Sequence, residues 1–135
     1  MSDKVFFDTN LLLYTIGQQD ARTPTAEALL EQGGVISVQV LNELASVTHR
    51  KLRMSWPEVT DALEAIRILC PSPMSITAEM HDAAVHLAAQ YGFHIHDALI
   101  VAAALEADCT TLYSEDLQSG QVIDGRLAIH NPFIA

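Results

Sequence analysis

The chain reads as an α/β protein whose parallel sheet is covered by helices on both faces. Three observations predict it. Apolar runs at Val5–Phe7, Val35–Val38, Thr110–Tyr113 and Leu127–His130 have the shortness and composition of buried strands. Helical stretches of about 10–15 residues separate most of them, the spacing of parallel strands joined by crossovers. Several helices carry their own start and stop residues, so the alternation does not rest on hydrophobicity alone.

Val5–Phe7 is the first strand, followed by a short helix over Leu11–Ile16. Thr23-Pro24 starts the next helix, with Thr23 as its cap and Pro24 at the first helical position, where its missing N–H costs nothing. Gly33-Gly34 stops it. The Val35–Val38 strand leads into a helix near Val40–Lys51. Ser55-Trp56-Pro57-Glu58 has capping-box spacing and opens a helix that must end before Pro71 and Pro73. Met74–Ile76 is a short strand. Thr77 then caps a helix that runs to Tyr91 and stops at Gly92. A helix over Asp97–Ala107, the strand Thr110–Tyr113 and a last strand Leu127–His130 complete the chain. No repeat, linker or low-complexity tract interrupts it, so residues 1–135 are expected to form one domain.

Half of the 135 residues are hydrophobic, enough for a well-formed core and too many for disorder. The longest apolar run, Ala98–Leu105, is far shorter than the roughly 20 residues that span a bilayer. The start, MSDKVFFDTN, lacks a basic region and places Asp8 inside what would be an apolar segment, so no signal peptide is expected. Cys70 and Cys109 form no C-x-x-C pair and read as reduced core thiols of a cytoplasmic protein. A net charge of −10 weighs against broad nucleic-acid binding, which normally needs a basic face. The charge is unevenly spread, however, and Arg50, Lys51 and Arg53 cluster in one HRKLR run. That cluster suits phosphate contacts, and it equally suits a helix C-terminus, where the dipole favours cations.

Four acids carry the chemistry: Asp8 in VFFDTN, Glu43 in VLNEL, Asp97 in HIHDALIVAAAL and Asp116 in LYSEDLQ. Each has a plain alternative. Asp8 sits at a strand-to-helix turn and Asp97 at a helix start, so either can serve as a cap or dipole partner. Glu43 lies beside an apolar stripe and can form a salt bridge, while Asp116, next to Glu115, can belong to a solvated turn. Together they point elsewhere. Parallel strands gather ligands at their carboxyl ends, and carboxylates gathered there repel one another unless a hard divalent cation lies between them.

His94-Ile95-His96-Asp97 contains the H-x-H of some zinc hydrolases, but the further histidine spacing is absent and the chain is too short for a (β/α)₈ barrel. D-T-N after the first strand lacks the second carboxylate of a D-x-D phosphatase. A receiver domain would need a late lysine, and the only lysines are Lys4 and Lys51.

In order and spacing the segments VFFDTNLLLY, VISVQVLNEL and HDALIVAAALEADCTTLYSEDLQSG resemble the motifs of the PIN-domain family of metal-dependent ribonucleases, and LAIHNPF continues the likeness to the end of the chain. The small size is similar to that of VapC-type toxins. The resemblance implies a three-layer α/β/α sandwich with a central, mainly parallel sheet. It implies a Mg²⁺ (or Mn²⁺) site in which Asp8, Asp97 and Asp116 hold the metal and Glu43 completes the catalytic set. Asp116 or Glu43 would orient the attacking water, and cleavage would leave a 5′-phosphate. Thr9, Asn10 and Ser37 match positions that hold such a site by hydrogen bonds, and Glu115 could act through a water. His96 stands where the family often has an aromatic residue. The implied partners are an RNA substrate, an antitoxin protein and a second copy of the chain, with no membrane. For the dimer, the surface would be Trp56 with the helix it opens, or Leu12, Leu13 and Tyr14. The rival reading is a PIN-like module that binds RNA or protein without cutting it.

Overall fold

The computed structural model describes residues 3–17 and 19–134. Its sheet has four strands, β1 (Val5–Phe7), β2 (Thr111–Tyr113), β3 (Val122–Ile123) and β4 (Leu127–His130), in the order β1-β2-β4-β3. β1, β2 and β4 run parallel, and β3 pairs antiparallel with β4 at the edge. Among the described residues six helices surround it: α1 (Thr9–Leu13), α2 (Thr23–Glu31), α3 (Val38–Arg50), α4 (Trp56–Leu69), α5 (Ala78–Tyr91) and α6 (Ile95–Glu106). Phe6 and Phe7 show how the layers stack. Neighbours in a strand point to opposite faces, and both rings are fully buried, so both faces of the sheet are covered. This is the α/β/α arrangement with a mainly parallel sheet.

Local chemistry sets the helix ends. Ser55 and Glu58 form the reciprocal capping box of α4, and Thr77 accepts from the Met80 N–H to start α5. Gly92 ends α5 in the left-handed conformation at φ 78°, which glycine adopts without steric cost. α6 is buried along Ala98, Ile100, Val101, Ala102, Ala103, Ala104 and Leu105, and its small side chains let the helix pack closely.

Four expectations need correction. α1 starts at Thr9 rather than Leu11, because the Asp8 side chain accepts from the Thr9 N–H and opens the helix early. Thr23 is the first residue of α2 and not its cap. Its buried hydroxyl accepts from the Asp20 N–H and donates to the Tyr14 carbonyl, leaving Arg22 in the cap position. Val35–Val38 and Met74–Ile76 form only isolated parallel bridges, Phe6 to Val35 and Ser37 to Met74. Ser37 caps α3, so the chain turns helical at Val38 before a strand can lengthen. β3 is an edge strand that the sequence reading did not contain.

Gly34 fits tightly at this crossing. A Cβ there would lie 2.6 Å from Cε2 of Phe7, a ring with no exposed surface and little room to move. Gly34→Ala is therefore expected to cost about 1–3 kcal/mol, the range for overpacking a core. Urea denaturation measures it, and an unchanged midpoint would show that the Phe7 ring can yield.

Candidate active site

The parallel strands end at one edge, and that edge carries the acids. Asp8 follows β1, and its N–H donates to the Tyr113 carbonyl at 3.0 Å, which brings the ends of β1 and β2 together. Ser114, directly after β2, then donates its hydroxyl to Asp8 Oδ2 at 2.8 Å. Asp8 Oδ1 accepts from the Thr9 N–H at 2.7 Å. Asp8 is thus both a helix cap and a buried carboxylate, and the two readings of that residue are compatible.

Asp8, Glu43, Asp97 and Asp116 line one cavity of about 280 Å³, together with Thr9, Asn10, Leu13, Ser46, Val47 and Arg50. Glu43, Ser46, Val47 and Arg50 recur at helical spacing, so one stripe of α3 forms a wall. Asp97 projects from the first turn of α6, which His94 precedes in the cap position. Among the described residues, none of these four acids makes an ion pair.

Neutral donors hold the carboxylates instead. The Thr9 hydroxyl donates to Glu43 Oε1, and Gln39 Nε2 donates to Oε2 at 3.0 Å. Asn10 Nδ2 donates to Asp116 Oδ2 at 3.0 Å and faces Asp8 Oδ2 at 3.5 Å, while Asn10 Oδ1 accepts from the Glu115 N–H. Gln39 Nε2 also faces His96 Nδ1 at 3.3 Å. An amide nitrogen can only donate, so His96 Nδ1 accepts and its ring proton sits on Nε2. His96 is exposed and meets the site through Gln39.

The electrostatics follow from this geometry. Burial pushes the Asp8 carboxyl up to about 6, against the hydrogen bonds from Ser114 and Thr9, with further repulsion from Glu43 and Asp97. Asp97 is also raised, first by burial and then by Glu43. Both carboxylates are destabilised as anions, which a cation would relieve.

Other candidates lie elsewhere. Ser37 is fully buried and caps α3 by accepting from the Val40 N–H at 3.3 Å, so it bears on Glu43 only by starting that helix. Glu115 turns away from the cavity, accepts from the Tyr14 hydroxyl and pairs with Arg22 Nε at 2.6 Å. Leu12 is fully buried in the core, which removes it from any dimer surface, whereas Trp56 is exposed. Of the basic cluster, Arg50 reaches the cavity wall and Lys51 caps α3. Two contributors escaped the sequence reading, Ser114 and Gln39. Ser114 had a signal, a hydroxyl directly after a strand beside β1. Gln39 had only its i, i+4 spacing to Glu43.

A larger cavity of about 420 Å³ opens beside α2 and α4, lined by Ile16, Leu30, Met54, Ile66 and Leu69 among others. It holds none of the four acids, and its own carboxylates are Glu27 and Glu31 of α2.

The PIN domain family matches residues 5–122. The chain belongs to the PIN domain family. Among curated proteins, none matches it in sequence. Its fold is similar to that of VapC20 of Mycobacterium tuberculosis, a Sarcin-Ricin loop cleaving toxin (TM-score 0.68, 22% identity, 84% of this chain and 90% of that one). A toxin–antitoxin complex from Klebsiella pneumoniae contains a similar chain (TM-score 0.72, 19% identity, 96% and 98% covered). So does VapBC2 of Rickettsia felis bound to a promoter DNA fragment (TM-score 0.65, 20% identity, 94% and 98% covered). Among the described residues of this PIN domain, no helix is long and apolar enough to cross a membrane.

The donor set suits a hard cation. All four acids offer oxygen, as do Thr9 and Asn10 beside them. Among the described residues, no three His, Cys, Asp or Glu side chains are drawn together into a ready-made cage.

Proposed function

We propose that this PIN domain is a Mg²⁺- or Mn²⁺-dependent endoribonuclease and the toxin of a cytoplasmic toxin–antitoxin pair. The observation that carries the reading is the single cavity lined by Asp8, Glu43, Asp97 and Asp116 with no ion pair to any of them among the described residues. Clustered, partly buried carboxylates are costly, and a domain that only binds has no use for that cost. The family match and the likeness to toxin structures support the same reading.

Asp8 and Asp97 would hold the metal, with Asp116 beside them. The bound ion would supply a water of lowered pKa and a Lewis acid for the phosphoryl oxygen. The chain supplies orientation. Thr9 and Gln39 each fix one oxygen of Glu43, leaving further lone pairs free to accept the proton of an attacking water. Asn10 ties Asp116 to the first turn of α1, so both carboxylates past β1 and β2 share one framework.

Purified protein is expected to cut RNA with Mg²⁺ or Mn²⁺ and to stop with EDTA. Overexpression should arrest growth, and co-expression with the neighbouring gene should relieve it. A negative cavity suits a partner that inserts an Arg among the acids, because the planar guanidinium pairs with carboxylates bidentately. Assembly as a homodimer belongs to the same reading, and light scattering at micromolar concentration tests it. The sparse basic content, seven Lys and Arg against seventeen Asp and Glu, favours the rival binding module or a very narrow RNA substrate. RNA bound but uncut with either metal would establish that rival.

A further inference from the structure

We propose that the open face of Trp56 is a stacking platform for an unpaired RNA base, with Arg50, Lys51 and Arg53 holding the adjoining phosphates. The inference rests on the ribonuclease reading and deepens it, because it names single-stranded RNA as the form of the substrate.

The geometry begins with exposure. Trp56, the only tryptophan, opens α4 and remains 58% exposed. Its ring stacks on His49, in the last turn of α3, at 3.8 Å between centroids and 15° between planes. One face is therefore backed and the other is open to solvent. A stack serving only to staple α3 to α4 would gain more by burying the indole, since each Å² of apolar surface removed from water stabilises the fold.

The platform is rigid. His49 Nδ1 lies 2.9 Å from the Met54 carbonyl, which can only accept, so Nδ1 carries the proton and the ring plane is fixed. The Met54 N–H donates to the Thr48 carbonyl at 3.1 Å, closing the turn from the other side. The capping box of Ser55 and Glu58 then sets the direction in which α4 leaves. An aromatic ring held in place before binding costs little entropy to use.

Charge identifies the occupant. Three of the chain's seven basic residues are Arg50, Lys51 and Arg53, all exposed, and among the described residues none pairs with an acid. Arg53 holds a left-handed φ of 57°, uncommon outside glycine, so the turn keeps a charged side chain where a smaller residue would be less strained. Arg50 also lines the acidic cavity, so one cation of the cluster stands at the place where a scissile phosphate would lie. A strand with anionic linkages and planar bases satisfies both halves, phosphates on the guanidinium groups and a base on the indole. Paired bases hide their faces, so the strand must be single.

The sole tryptophan supplies the test. Asp97→Asn protein in Mg²⁺ is titrated with a short, non-self-complementary single-stranded RNA, and Trp fluorescence is followed. Saturable quenching is expected, and by anisotropy of the same strand carrying a fluorescent end label, which does not need the indole, adding Trp56→Ala should weaken binding about 5- to 100-fold with the salt slope unchanged. Trp56→Phe should recover part of the loss. Changing Arg50, Lys51 and Arg53 to Gln should reduce the slope of log affinity against log salt by about 2. An unchanged affinity on losing Trp56, equal quenching by an abasic strand, or equal binding of a duplex would overturn the platform. So would a drop in mass by light scattering on Trp56→Ala, which would assign the face to a second copy. The two readings fail separately. If the parent cuts RNA and Trp56→Ala cuts it with the same KM, the platform is wrong and the ribonuclease stands. If the parent cuts nothing but quenching depends on the base, the platform stands and the nuclease falls.

Discussion

Asp8→Asn and Asp97→Asn are each expected to lower metal-dependent RNA cleavage by about 10²–10³-fold or more, the scale of losing one preorganised electrostatic group. The two residues face the same cavity from the starts of different helices, α1 and α6. Neutralising either takes away a full charge where a hard cation must bind with few protein ligands. The fold should survive. Asn caps a helix about as well as Asp, and its side-chain oxygen can still accept from the Thr9 N–H. Its amide nitrogen would meet the Ser114 hydroxyl, which can turn to accept instead of donate. Circular dichroism checks the fold and single-turnover assays at saturating metal check the rate. Parent-level cleavage by both variants would remove these residues from the site.

How far the site was legible depended on where each contact originates. Asp8 and Asp116 were visible because a strand end has a sequence signature, an apolar run broken by a polar residue. Asp97 was visible only together with the other acids, because an acid opening ALIVAAAL can equally be a partner of the helix dipole. What holds them was less visible. The Ser114–Asp8 bond joins residues 106 apart, and only the parallel register of β1 with β2 brings them together. Glu115 carried the opposite difficulty. Its neighbour points into the cavity, but the turn after β2 sends Glu115 to Tyr14 and Arg22, and Arg22 also lies over the Tyr14 ring at 5.3 Å from its centroid. Nothing in S-E-D-L-Q says which of two adjacent acids turns inward. In the fold, the helices were read better than the strands because their caps are local. Val35–Val38 was read too long because its apolar run continues into α3, and composition alone does not show that Ser37 is already a cap.

Stability without metal is expected to rise as pH falls from about 6 to about 4. Burial raises Asp8 from its ordinary 3.8 to about 6, so the folded protein binds this proton more tightly than the unfolded chain does. The stabilising contribution is then fully present below the unfolded value and is lost as pH rises through about 6. The rise from 3.8 to about 6 corresponds to about 3 kcal/mol, and Asp8, at 5% exposure, is too buried for solvent to screen it strongly. In Tm this is roughly 10 °C for a domain of this size. Asp97 moves in the same direction and adds to it. Asp20 and Glu58 act in reverse. Hydrogen bonds from the Arg22 and Ser55 N–H groups lower their values, so the contribution of Asp20 is lost below its ordinary 3.8, under the window, and that of Glu58 starts to fall at its ordinary 4.5, at the acid end of it. Asp8→Asn should therefore raise Tm at pH 7 in EDTA and flatten the profile between pH 6 and 4. Mg²⁺ at pH 7 should stabilise the parent, because a cation beside Asp8 relieves the same charge, and Asp8→Asn should remove most of that gain. Thermal melts across pH, with EDTA and with Mg²⁺, measure all of this. Identical profiles for parent and variant would mean that Asp8 does not carry the buried charge.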